Sequence, residues 1–406
     1  MQDKLTIIKY EVNNQVLWPM YVGDSLTEIA VQNEKDNSLV SAVFVGIVER
    51  VLPDVKAGFI NIGRKIKGFL PINETPSFHK TQGKAPLITG QSVLVQVKKD
   101  EKGDKGVFLS RDITLVGQYV LYMPLNQFTS MSKRITDESQ REYAKALAKK
   151  LTNGNCGIII RHGALFADFD NVEAEWLSLK NQWEELQRTL AYQKPPTCVS
   201  KPQHALLAPL RDYHARYQCH VISDSNTLEN EINVNGISYE TLTPLELEAY
   251  IIGKQIKHHI NNSLARIVPL KQGANLTIDQ REALSTIDVN SGQVVNKKDL
   301  FSLAYAVNML AIPEIAKQIR LRNLSGMILV DFIDMKTEKE EQEIEEALKQ
   351  ALSSDRIGVV LHGFTKLGLF EITRKRSSDS LQDLLCVPCP QCHASGYTFI
   401  KQTKKG

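Results

Sequence analysis

The stretch Leu284 to Gly292, LSTIDVNSG, sets an acid inside a run that otherwise reads as a buried strand. Strand alternation places Leu284, Thr286 and Asp288 on one face, with Asn290 following, and Ser285, Ile287 and Val289 on the other. A carboxylate buried there without a partner would be costly, so Asp288 must face something. A second stretch, Met327 to Met335 (MILVDFIDM), repeats the anomaly with Asp331. Asp331 and Asp334 are three residues apart, so in a regular strand they face opposite ways. Asp331 directly follows the apolar run and is the better partner for Asp288. Asp334 stands where the strand should end.

Two strand-borne acids, each followed by a helix, suit one hard cation. Mg²⁺ takes one or two carboxylates, keeps several waters and accepts phosphate oxygens. Asn290 can hydrogen-bond a ligating carboxylate and hold its orientation. The competing reading is that each acid makes a structural ion pair. Bases lie nearby in sequence: Arg374 and Arg376 in TRKR (Thr373 to Arg376), and Arg320 and Arg322 in IRLRN. Beside a carboxylate-held metal they point to a phosphodiester substrate. The alternative for each cluster is a solvated charged face.

Outward from this unit the pattern is α/β. A helix ending in IAKQIRLRN separates the two acid-bearing strands. Thr337 and Glu340 form a capping-box pattern that opens a helix with Ile344, Ala347, Leu348, Ala351 and Leu352 inward. RIGVVLHGF and LGLFEITRKR supply further strands. Upstream, five short strand-like runs (SAVFVGIVERVL, AGFINIG, KGFLPI, QSVLVQVKKD and KGVFLSRDI) predict a small closed barrel of the OB type. Its Phe59 and Phe69 lie among Lys56, Arg64, Lys65 and Lys67. Aromatics interleaved with bases suit stacking on single-stranded nucleic acid, although by burial statistics alone two phenylalanines are more often core residues. Between the barrel and the α/β unit, TDESQREYAKALAKKL and EWLSLKNQWEELQRTL read as helices, GIIIRHG as a strand, and Lys194 to Pro202 as a linker.

The chain has 406 residues, enough for two to four domains, with a 42% apolar and 23% charged composition typical of globular proteins. A formal net charge of +3 is nearly neutral for this length and decides nothing about partners. No apolar run reaches membrane-spanning length. The N-terminus reads as a hairpin turning at Asn13-Asn14 rather than as a signal peptide, so a cytoplasmic location is expected. Six cysteines make no disulfide framework. Cys386, Cys389 and Cys392 cluster instead as a metal-binding knuckle with His393 adjacent. One CxxC gives two thiolates where structural zinc wants four ligands, so the site could be shared between two chains.

LSTIDVNSG, IAKQIRLRNLSGMILVDFIDM, GLFEITRKR and CPQCHASG together resemble the catalytic half of the ribonuclease E/G family. TRKR and the additional Cys386 lean toward its ribonuclease G branch. VGIVERVLPDVKAGFINIG, KGFLP and DKGVFLSRDITL resemble that family's inserted OB domain. The resemblance implies a mixed α/β multidomain fold. It comprises an RNase H-like subdomain (1–36 and 204–263), an OB barrel (37–111) and a 5′-sensor-like subdomain (112–203). A DNase I-like catalytic subdomain (264–385) and a zinc link with tail (386–406) follow.

It further implies a Mg²⁺-dependent endoribonuclease acting on single-stranded RNA, working as a zinc-linked homodimer. Asp288 and Asp331 match the metal-binding acids and Asn290 their supporting amide. Cys389 and Cys392 match the zinc pair, Phe59, Phe69 and Lys105 the RNA-contacting positions, and Arg161 the first residue of the 5′-phosphate sensor. His162 departs from the family's threonine, GALFAD replaces a glycine-rich loop, and Leu310 stands where an acid is usual. The segment from Cys219 to Tyr250 is short, and the sequence ends at Gly406, before the family's small C-terminal domain. The rival expectation is a non-catalytic RNA-binding or ribosome-associated relative with a relict site.

Overall fold

A computed structural model describes residues 3–390, except 13–14, 34–37, 65–66, 75–86, 101–105, 191, 215, 227, 230–236, 293–299, 354, 377 and 388. The expected Asn13-Asn14 turn, Lys65, Lys105, Cys392 and His393 lie outside the described residues.

The chain begins with strands β1 (Lys4–Ile8), β2 (Tyr10–Val12), β3 (Gln15–Val22) and β4 (Ser25–Asn33). The barrel strands follow: β5 (Val43–Leu52), β6 (Ala57–Asn61), β7 (Lys67–Pro71), β8 (Ser92–Lys99) and β9 (Val107–Ser110). Then come β10 (Leu115–Val116), β11 (Val120–Met123), β12 (Thr129–Met131), α1 (Glu138–Thr152), β13 (Gly157–Ile160) and α2 (Phe169–Leu190). After β14 (Thr197–Ser200) and α3 (Leu207–Tyr213), β15 (Gln218–Ser223) and β16 (Ser238–Thr241) return to the first sheet, followed by α4 (Pro244–Gly253) and α5 (Ile256–Ser263). The last unit holds β17 (Ile267–Pro269), β18 (Asn275–Gln280), β19 (Leu284–Asn290), α6 (Leu300–Leu321), β20 (Gly326–Asp331), α7 (Glu338–Leu352), β21 (Val359–Phe364), β22 (Leu369–Arg374) and α8 (Leu381–Leu385).

The first sheet runs β16-β15-β1-β3-β2, with β4 also on β3. Both of its faces are covered. Leu5, Ile7, Trp18 and Met20 pack against Leu206 and Leu210 at α3. Ile8, Leu17 and Tyr21 pack against Leu247 of α4 and Ile256 and Ile260 of α5. The barrel has the order β5-β6-β7-β9-β8 and closes through β5 pairing β8, which removes free sheet edges from that ring. Its interior is Val48, Ile60, Leu70, Val95, Val97 and Leu109. This is the OB-like barrel that the five short runs predict. One part of the expectation is corrected: within the supposed linker, Thr197 to Ser200 form β14 and pair antiparallel with β5.

The small sheet β10-β11-β13-β12 packs beneath α1 and α2, with Tyr122 edge-on to Trp176 at 4.8 Å between ring centroids. The last sheet runs β17-β18-β19-β20-β22-β21. Leu276, Ile287, Val289, Ile328, Val330, Phe370 and Ile372 turn to one face and meet Ile315 and Ile319 of α6 and Ile344 and Leu348 of α7. The predicted capping box at Thr337 and Glu340 is present at the start of α7. The sheet's other face carries the residues in between. Glu28 of β4 ties the first sheet to the segment between α7 and β21, ion-pairing with Arg356 at 2.6 Å, and accepts a hydrogen bond from the Tyr213 hydroxyl of α3. Among the described residues, no helix is long and apolar enough to cross a membrane.

Candidate active site

Strands β19 and β20 lie side by side and parallel, and their register sets Asp288 directly opposite Asp331. Neighbouring strands are about 4.8 Å apart, so both carboxylates share one face and one end of the sheet. Each is exposed, so Asp288 is not the buried carboxylate its apolar flanks suggest, while Ile287, Val289 and Val330 on the opposite face are buried. The amide of Asn290 donates to Asp288 Oδ2 at 2.9 Å and to Thr277 Oγ1 at 3.3 Å. Thr277 is itself opposite Asp288 on β18, so the chain Thr277–Asn290–Asp288 fixes one acid.

Partial burial raises the Asp331 carboxyl above the usual carboxylate value, with the charges of Asp288 and then Asp334 adding to it. Like charges at this range favour a cation between them. Because β20 ends at Asp331, strand alternation does not extend to Asp334.

Gly292 ends the LSTIDVNSG stretch with φ +60°, and a Cβ there would lie 2.0 Å from the Gly273 carbonyl oxygen. Only glycine allows the chain to leave β19 by this route. The donor set fits Mg²⁺: two hard carboxylates, one held by an amide, with the remaining positions left to water and substrate oxygens. Among the described residues no group of three or more His, Cys, Asp or Glu is placed to hold a metal ion. Asp288 and Asp331 are the two carboxylates here that could serve such an ion.

The TRKR bases separate. Arg376 is exposed, with Nε 3.4 Å from Ser325 Oγ. Arg374 is 2% exposed. Its guanidinium donates to Asp355 Oδ2 at 2.8 Å and Oδ1 at 3.3 Å, to Asn323 Oδ1 at 2.7 Å and to the Leu324 carbonyl at 2.9 Å. The expected RNA contact at Arg374 is therefore corrected. Alternation on β22 turns Arg374 inward, and a buried charge needs these partners. Arg322 is likewise buried and bonds Gln318 and the Ala265 carbonyl.

On the barrel, Phe59, Phe69 and Phe108 stand opposite one another on β6, β7 and β9. Their rings are 6.1 Å and 6.3 Å apart at successive centroids. All three are partly exposed, while Ile60, Leu70, Val107 and Leu109 fill the interior. The core reading of Phe59 and Phe69 is thereby excluded. Arg50 and Lys99, both exposed, flank the row opposite Phe59 and Phe108, and Lys99 Nζ is 5.6 Å from the Phe108 ring centroid. Sequence reasoning missed Phe108; the alternation of VFLS held the signal, since Phe108 falls between inward Val107 and Leu109.

Arg161 caps a short 3-10 turn, His162–Phe166. It does not pair with Asp168 or Asp170, as a local surface pair would. It ion-pairs with Asp212 of α3 and donates to the Gly117 carbonyl at 2.6 Å. The His162 ring lies 5.1 Å from that of Phe166. Burial, then the Arg216 and Arg134 charges, push the His162 imidazole below its usual value. Cys386 follows α8 and Cys389 lies just beyond, both exposed; Cys392 is outside the described residues.

A small closed barrel with an aromatic outer row, together with a separate sheet that presents paired carboxylates at the ends of parallel strands, defines a multidomain α/β protein with a candidate nucleic-acid-processing site. The model of the Ribonuclease E/G family matches residues 114–377. The chain is 33% identical over 402 residues to Ribonuclease G of Salmonella typhimurium, covering 94% of this chain and 82% of that protein. The same figures hold for Ribonuclease G of Escherichia coli. Ribonuclease E of a Nostoc species is 30% identical across 93% of this chain and 57% of its own length. The chain belongs to the ribonuclease E/G family.

Proposed function

We propose that this chain is a Mg²⁺-dependent endoribonuclease that cuts single-stranded RNA by attack of water at phosphorus, leaving 5′-phosphate and 3′-hydroxyl ends. Family membership supplies the coarser statement, an endoribonuclease and hence a hydrolase. The observation that carries the finer reading is the Asp288–Asp331 pair in register, with Asn290 bonded to Asp288. Asp288 and Asp331 would hold the ion, and Asn290, braced by Thr277, would keep the Asp288 carboxylate turned toward it. When bound, Mg²⁺ supplies Lewis acidity toward the scissile phosphate and lowers the pKa of water beside it. The row Phe59–Phe69–Phe108 stacks bases while Arg50 and Lys99 attract the backbone, and Arg376 adds a cation on the catalytic subdomain.

The zinc reading is part of the same proposal: Cys389 and Cys392 of two chains share one structural ion and make a homodimer. The test is cleavage of an end-labelled A/U-rich oligomer with and without Mg²⁺, by the wild type and by Asp331→Asn and Asp288→Asn. Cleavage only with Mg²⁺, lost in both variants while RNA binding persists, is expected. Binding without cleavage in the wild type would make the chain an RNA-binding relative with a relict site.

A further inference from the structure

The core stripe of α6 contains a polar interruption. Ala304, Val307, Ala311, Ile312 and Ile315 are buried apolar residues, and Asn308 among them is wholly buried, at 0% exposure. An amide in such a core is costly unless bonded, and both ends of this one are. Asn308 Nδ2 donates to the Ile333 carbonyl at 2.8 Å, and the Ile333 N–H donates to Asn308 Oδ1 at 3.0 Å. One side chain thus satisfies both backbone groups of a single residue, as a neighbouring strand would.

That residue lies between Asp331, the last residue of β20, and Asp334. β20 ends there, so no ladder partner holds the chain at this point. Phe332 anchors the turn from the other side, with its ring 6.1 Å from Phe364 and 6.3 Å from Phe370. Asp334 follows directly, and its charge is the smallest of the three causes that raise the Asp331 carboxyl, after burial and Asp288. Yet no three acids among the described residues are close enough to ligate one ion, so Asp334 suits an outer position, accepting hydrogen bonds from the ion's waters.

We propose that Asn308 is a positioning residue: by clamping both backbone groups of Ile333 it fixes the turn after β20, aiming Asp331 at the cation and holding Asp334 beside it. This rests on the carboxylate-pair reading of the site. Asn308 touches neither substrate nor ion, so its effect appears first in cation affinity. Such outer positions commonly change metal affinity or activity by about 10–100-fold.

The experiment measures Mn²⁺ binding by electron paramagnetic resonance, the Mg²⁺ dependence of cleavage, and thermal melting, on the full chain. Asn308→Leu removes both bonds at similar volume. Ile344→Val, in the same core, is the control for simple destabilisation. Asn308→Leu should weaken Mn²⁺ binding and raise the half-saturating Mg²⁺ by about tenfold or more, with activity partly restored at high Mg²⁺ and RNA affinity unchanged. Ile344→Val should melt lower without moving either cation constant.

If Asn308→Leu does not fold, Asn308→Asp is measured instead, since it keeps the bond from the Ile333 N–H and loses donation to the carbonyl; weakened Mn²⁺ binding is again expected. Unchanged Mn²⁺ affinity in the folded variant would overturn the proposal. Asp331→Asn separates the two failures: normal Mn²⁺ binding and cleavage in that variant would sink the carboxylate-pair reading itself.

Discussion

Arg374 and Arg376 are two residues apart in TRKR, and replacing each by alanine should have opposite consequences. Arg374→Ala removes four hydrogen bonds and leaves the carboxylate of Asp355, 3% exposed, with only the Ile357 N–H at 2.9 Å among the described residues. Both side chains of the ion pair are nearly inaccessible, at 2% and 1%. Breaking such a pair by removing one partner costs about 3–5 kcal/mol, because the remaining charge stays buried without compensation. If the catalytic subdomain of roughly 120 residues melts as one unit, its unfolding entropy is about 0.25 kcal/mol per kelvin, and Tm falls by about 12–20 °C. Arg376→Ala should leave Tm unchanged, because the side chain is exposed. It should instead weaken RNA binding across sequences and reduce the salt slope of log K by roughly one contact. Differential scanning calorimetry and salt-dependent binding to a fluorescent oligomer measure the two effects. A wild-type Tm in Arg374→Ala together with lost RNA affinity would refute the buried-pair reasoning.

Phe108→Ala should weaken single-stranded RNA binding by about 1–3 kcal/mol, comparable to Phe59→Ala and Phe69→Ala, as measured by fluorescence anisotropy; an effect confined to Phe59 and Phe69 would remove Phe108 from the stacking row. At the expected 5′ sensor, the Arg161–Asp212 pair occupies the guanidinium, so 5′-phosphorylated and 5′-hydroxyl oligomers should be cut at rates within roughly tenfold, or about 1.4 kcal/mol. Asp212→Asn should widen that ratio in competition cleavage assays, and a large preference already present in the wild type would count against the pairing. Burial and two arginines hold the His162 imidazole below its usual value, so protonation of this ring should not change the ratio between pH 8 and pH 7. Zinc analysis with light scattering should give about half an ion per chain in a dimer, lost in Cys389→Ser; one full ion per monomer would contradict a shared site.

Much of the candidate site was legible in the linear chain because strand alternation is local. An acid at a position flanked by Ile287 and Val289, and another after Ile328 to Val330, announce themselves by polarity against period two. The barrel was legible for the same reason, through short alternating runs broken by turn residues, and the capping box at Thr337 through local side-chain chemistry. Register was not legible. That Asp288 stands opposite Asp331, that Thr277 braces Asn290, and that Phe108 completes a row with Phe59 and Phe69 depend on how separate strands align. Nor could the sequence tell which base of TRKR turns inward, since Arg374 is buried only because Asp355 and Asn323 wait for it from distant segments. Alternation also stops being a guide past the end of a strand, as at Asp334, where the neighbouring Ile333 backbone is held by the Asn308 side chain and not by a ladder. Side chains whose neighbours lie within a few residues were determined by the sequence; those whose partners come from another strand or helix were decided by the tertiary structure, because charge and polar burial are settled by the partner that arrives.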